Sequence, residues 1–79
     1  MIRENVSEDD LLRWLNSRLH ENGDFSKCRF ESISRLAEKD KDGCNWYEAG
    51  LHCSGVPVLS CAKDAESIVA EAKKRFNVI

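Results

Sequence analysis

From Ser7 onward the apolar residues recur three and four apart: Leu11, Leu12, Leu15 and Leu19, with Trp14 and Arg18 at the edge of the stripe. That spacing collects them on one side of a helix, and it predicts a helix over residues 8–21. Ser7 is placed as its N-cap, with Asp10 three residues on in a variant of the capping box. Glu8 and Asp9 put negative charge at the positive end of the helix. Gly23 is placed to stop it.

Beyond Phe25 the period changes to two. Cys28, Phe30, Ser32, Ser34 and Leu36 alternate with Arg29, Glu31, Ile33 and Arg35, so the less charged even positions are expected to face the core. Asp42-Gly43 then offers the dipeptide of a two-residue hairpin turn. In the run that follows, Tyr47, Ala49, Leu51 and Cys53 share one face and Trp46, Glu48, Gly50 and His52 the other. A hairpin with an even-membered loop pairs positions whose numbers sum to an odd value. The even face of the first strand then lies beside the odd face of the second, so turn chemistry and hydrophobic pattern agree. On this reading Cys28, Tyr47, Leu51 and Cys53 point to the core, and Cys44, Trp46 and His52 point outward. Glu48 is expected to meet Arg35 or Ala37 across the hairpin, according to register.

Pro57 cannot donate to a ladder, so residues 56–59 are either a short edge strand or an extended connector. The closing segment has helical spacing again. Ala62, Ala65, Ile68, Val69, Ala72 and Phe76 form its buried stripe, with Ser60 as candidate N-cap. Asn77, Val78 and Ile79 trail off or pack back on the core. The fold expected is α+β, of αββα order: an antiparallel hairpin with two helices packed on one face.

Seventy-nine residues suffice for one domain over 1–79, and a chain of this size buries only about 60% of its surface on folding. Such a domain gains from association, a metal or disulfides. A net charge of −2 argues against a protein that draws its affinity from phosphate neutralisation. The basic run Lys73-Lys74-Arg75 complements the negative end of the last helix. With no apolar run of signal-peptide or membrane-span length in the sequence, the expected location is the cytoplasm, without membrane contact. There the four cysteines are expected as reduced thiols.

Four cysteines and two histidines would be enough for a zinc site, but structural sites favour close ligand pairs. Here fifteen, eight and seven residues separate Cys28, Cys44, Cys53 and Cys61, and the expected faces divide them. No metal and no cofactor is expected. Cys61, at the start of the last helix, is the one thiol placed for activation by a helix dipole. Glu48 and His52, four residues apart on a strand, are about 13 Å from each other, too far for an acid–base pair. The order of elements resembles that of the double-stranded-RNA-binding domain, whose closing helix opens with a Ser-Lys-Lys-x-Ala-Lys run. The matching positions here read Ser60-Cys61-Ala62-Lys63-Asp64-Ala65, without the lysine pair, and no membership follows.

The outer sheet face is left. Ile33, Arg35, Trp46 and His52 there combine the tryptophan and arginine typical of interface hot spots, on a sheet too small to be stable with one face bare. The sequence therefore predicts a non-enzymatic interaction or assembly module that forms a homodimer or takes a protein partner. The alternative is a nucleic-acid accessory role on Lys63, Lys73, Lys74 and Arg75. A thiol- or metal-dependent function, with Cys61 as the reactive thiol, requires the cysteines to converge.

Overall fold

The computed structural model describes residues 3–21 and 27–79. It is α+β, with β1 (Glu4–Val6), α1 (Glu8–His20), β2 (Cys28–Arg35), β3 (Trp46–Cys53), a 3-10 turn (Val58–Ser60), α2 (Ala62–Arg75) and β4 (Phe76–Val78). The two helices and the hairpin stand where the periodicity places them; β1 and β4 are additions. Ser7 caps α1 by accepting from the Asp10 amide at 3.1 Å. The Asp10 carboxylate itself turns to Arg13, 3.6 Å away. Leu11, Leu15 and Leu19 are fully buried, each contributing about 1.5–3 kcal/mol of transfer free energy. The expected stop at Gly23 lies outside the described residues.

β2 and β3 pair antiparallel, but the register shifts twice. Cys28 lies opposite Cys53 and Phe30 opposite Leu51, after which Ser32 faces Gly50 and Ile33 faces Ala49. Glu31 is the extra residue in β2. Nearer the turn Ser34 faces Glu48 and Arg35 faces Trp46, so Tyr47 is the extra residue in β3. Each bulge flips the faces beyond it. The buried set is accordingly Cys28, Phe30 and Ile33 on one strand, and Trp46 and Ala49 on the other. Trp46 is 0% exposed and Tyr47 51%, the reverse of a strict alternation. Burying the indole and the isoleucine gains more than burying Tyr47 and Ser32, and one unpaired residue per strand is the cost. Gly50 serves the same register: a Cβ there would stand 2.6 Å from the Ser32 hydroxyl.

The hairpin connection is not the two-residue turn expected at Asp42-Gly43. Asp40 and Cys44 close a three-residue loop, with the Asp40 amide donating to the Cys44 carbonyl and the Gly43 amide to the Asp40 carbonyl, both at 2.9 Å. Only Gly43, at φ 86°, has left-handed backbone there, the pattern of a three-residue loop closed by an αL glycine. The Asp40 carboxylate holds the loop from inside by accepting from the amides of Cys44 (3.0 Å) and Asp42 (2.9 Å). The Cys44 amide, helped by that of Asp42 and by the charges of Lys73 and Arg3, holds this carboxyl below its ordinary 3.8 against the opposing effect of burial. A carboxyl lowered by folding stabilises the fold above its unfolded value, and that contribution is lost as pH falls through the folded one. Thermal melts of wild type and Asp40→Asn are therefore expected to differ at neutral pH and to converge well below pH 3.8.

The two ends of the described chain are joined. β1 and β4 pair in parallel, Glu4 with Phe76, Asn5 with Asn77 and Val6 with Val78. Asn45 closes the other edge of β4, its side chain donating to the Val78 carbonyl (2.6 Å) and accepting from the Val78 amide (2.9 Å) as a strand would. The Trp46 indole donates to the Phe76 carbonyl at 3.1 Å, and Arg3 donates to the carbonyls of Lys73 and Phe76 at the end of α2. Residues 76–78, expected as the helix end and a tail, are thus a buried strand. Leaving the helix gives Phe76 and Val78 core positions. α1 packs on β2, α2 on β3, and the helices on each other.

Candidate functional site

Two of the four residues expected on an outer face lie in the core: Trp46 at 0% and Ile33 at 8% exposure. The bulges at Tyr47 and Glu31 put them there. Arg35 is exposed but engaged, donating to Glu8 at 3.2 Å and to the main-chain oxygen of Ile79 at 2.7 Å. It ties the end of β2 to the first turn of α1, and Glu48 instead faces Ser34. His52 is exposed opposite Arg29, beside a depression that His20, Lys27 and Cys28 also line. Sequence reasoning therefore placed the aromatic anchor one residue away from the one that reaches the surface.

Exposed apolar area gathers elsewhere. Val56 (38%), Val58 (45%) and Leu59 (86%) stand out on the segment before α2. Residues 56–59 form no strand; Pro57 leads instead into the 3-10 turn. That turn packs against both β3 and α2. Between those two elements lies a cleft of about 320 Å³, walled by Phe30, Tyr47, Ala49 and Leu51 on the sheet side and by Ala65 and Val69 on the helix side. The alanine stripe explains it. Ala72 closes fully onto its neighbours, but nearer the start of α2 the methyl groups of Ala62 and Ala65 are too short to fill the gap. Glu48 and Glu66 are the acidic members of its lining.

The cysteines form the second feature. Cys28 and Cys53, opposite in register, are joined as a disulfide, which corrects the expectation of four reduced thiols. A cross-strand pair on the core face brings the two sulfurs within bonding reach whatever the compartment. Cys61 is fully buried, and its sulfur lies 3.5 Å from that of Cys53. It occupies the N-cap position of α2 expected for Ser60, with its amide donating to the Val58 carbonyl at 3.1 Å. Three of the four cysteines thus converge. The fourth, Cys44, is buried rather than outward-facing, and its thiol donates to the Trp46 carbonyl at 3.1 Å.

The basic residues of α2 do not gather into one patch. Lys63 lies ten positions before Lys73, about 15 Å along the helix. Lys73 and Lys74 line a depression that also holds Asp40 and Asp42. Arg75 donates to Glu71 at 3.2 Å, and Glu71 also accepts from Arg18. Both guanidiniums lie over Trp14, at 4.9 Å (Arg18) and 5.5 Å (Arg75) from the ring centre, and Trp14 meets Phe76 edge to face at 5.2 Å. The hydrogen bond from Arg18, ahead of that from Arg75, holds the Glu71 carboxyl below its ordinary value. These charges clamp α1 to α2. No helix among the described residues is long and apolar enough to cross a membrane. Compared with family models, curated proteins and solved structures, the chain matches none.

Proposed function

We propose that this chain is a protein-interaction module that self-associates, and that the surface it uses is the exposed turn Val56–Leu59 together with the neighbouring cleft between β3 and α2. The observation that carries the reading is Leu59, 86% exposed, on a turn that packs against β3 and α2, the two elements between which the cleft lies. A two-fold interface needs knob and socket on one surface, since residue i of each copy meets residue j of the other. Leu59 and Val58 supply the knob. Phe30, Leu51, Ala65 and Val69 supply the socket, with Tyr47 as an aromatic rim of the kind enriched at interfaces. With both helices read as lying on one face of the hairpin, this arrangement buries the sheet-to-helix opening that one copy leaves unfilled.

Leu59→Asp is expected to weaken self-association about thirtyfold or more, the effect of losing one hot-spot side chain, while leaving the melting temperature of the monomer unchanged. Sedimentation velocity across a micromolar series reads both states. A wild-type chain that stays monomeric at high micromolar concentration, or a dimer indifferent to Leu59→Asp, overturns the proposal.

A further inference from the structure

The interface does not use the three converging cysteines, and their geometry has a chemistry of its own. β2 supplies Cys28, β3 supplies Cys53 and the start of α2 supplies Cys61, so that all three sulfurs lie within 4.8 Å of one another. No His, Asp or Glu among the described residues joins them at that range. Two uses compete. Thiol–disulfide exchange requires Cys61 to attack along the extension of the Cys28–Cys53 bond, which would put its sulfur about 5.5 Å from that of Cys28. The triangle is tighter than that, so Cys61 stands beside the disulfide and not behind it. A single metal ion asks for a triangle instead. Zinc–sulfur bonds of about 2.3 Å place tetrahedral thiolates roughly 3.8 Å apart, close to the 3.5 Å between Cys53 and Cys61.

We propose that the reduced form of this cluster binds one thiophilic d10 cation, zinc(II) or copper(I), through Cys28, Cys53 and Cys61. A thiol reductant delivers two electrons and two protons to the Cys28–Cys53 bond, leaving two thiols and the reductant's own disulfide. Metal entry then displaces the three thiol protons, three sulfur–metal bonds form, and the oxidation state of the metal is unchanged. Two side observations suit a metal site. Lys27 and Arg29 flank Cys28 at the adjoining depression. Cys53 is only partly buried, which gives the ion and the reductant a way in. The disulfide and the metal exclude each other, so the same three residues hold either a covalent cross-link or an ion.

The test compares the oxidised and the reduced 79-residue chain, each given zinc(II) alone or copper(I) alone, with native mass spectrometry for stoichiometry and a chromophoric chelator for affinity. One ion per reduced chain and none per oxidised chain is expected, with zinc and copper arms identifying the preferred cation. Cys61→Ser is expected to lower affinity about 100-fold or more while the Cys28–Cys53 disulfide still forms, seen as a loss of two hydrogens in mass. Cys44→Ser is expected to bind as wild type does. If the reduced apo chain is unfolded, recovery of the far-ultraviolet dichroism on adding the metal is the supporting readout. Neither binding nor refolding in the reduced chain, equal binding by the oxidised chain, or affinity untouched by Cys61→Ser overturns the proposal.

Discussion

Trp46→Ala is expected to remove a large part of the stability of the fold, and Tyr47→Ala to change it little. Removing a fully buried aromatic costs about 3–5 kcal/mol, and a chain of 79 residues has a total of only about 4–12 kcal/mol. The indole also donates to the Phe76 carbonyl, where α2 gives way to β4, so its loss leaves that acceptor with only the longer bond from Arg3 as well as a cavity. Tyr47, half exposed at the bulge, has neither role. Urea melts of the two variants test the face assignment directly. If the strand followed strict alternation, the order of the two effects would be reversed.

Reducing the Cys28–Cys53 disulfide has the next largest expected effect. Its two residues are 25 apart in sequence, and a cross-link closing a loop of that length removes unfolded-state entropy worth about 3–4 kcal/mol. Without it the hairpin keeps its ladder but loses its tether at the open end. Melting curves with and without a phosphine reductant are expected to differ accordingly. Cys28→Ala with Cys53→Ala is expected to melt like the reduced wild type, and Cys44→Ala to retain its response to reductant. Equal melting of oxidised and reduced chains would show that the bond stabilises nothing. A metal bound by the reduced cluster would shift the folding equilibrium back by mass action, so the reduced melt is run in chelator.

Much of this arrangement was legible in local pattern. The helical spacing of Leu11, Leu15 and Leu19, the cap at Ser7 and the two alternating runs specify α1, β2 and β3 because each signal repeats within a few residues. The bulges were written there too, in a form that alternation overlooks. Phe30 and Ile33, like Trp46 and Ala49, are three apart, a spacing no regular strand can bury on one face. A large apolar residue out of phase marks where a strand takes an extra residue. β1 and β4 carried no such signal. Glu-Asn-Val and Phe-Asn-Val are short, and their pairing joins positions more than seventy residues apart, which no local period encodes.

The same division holds for the site. Cys28 and Cys53 were assigned the same face, but the two-residue turn expected at Asp42-Gly43 would set Cys28 opposite Pro57; the observed loop and bulges bring it opposite Cys53. Cys61 joins them only because Pro57 and the 3-10 turn bring the start of α2 back over the end of β3. The cleft likewise depends on how far the Ala62 and Ala65 methyls stand from the sheet, a distance set by the whole packing. Leu59 is the exception. An apolar run Val-Pro-Val-Leu ahead of a helix, with a proline that keeps it out of the ladder, leaves its side chains without a regular element to bury them.

The most direct test of the self-association account is an isotope-filtered NMR experiment on a mixture of labelled and unlabelled chains. It reports only contacts between copies. Nuclear Overhauser effects are predicted from the Leu59 methyls of one copy to Val69, Ala65 and the Phe30 ring of the other. Contacts between copies that bypass both Leu59 and the cleft, or none at concentrations where the chain is fully observed as a monomer, would contradict it.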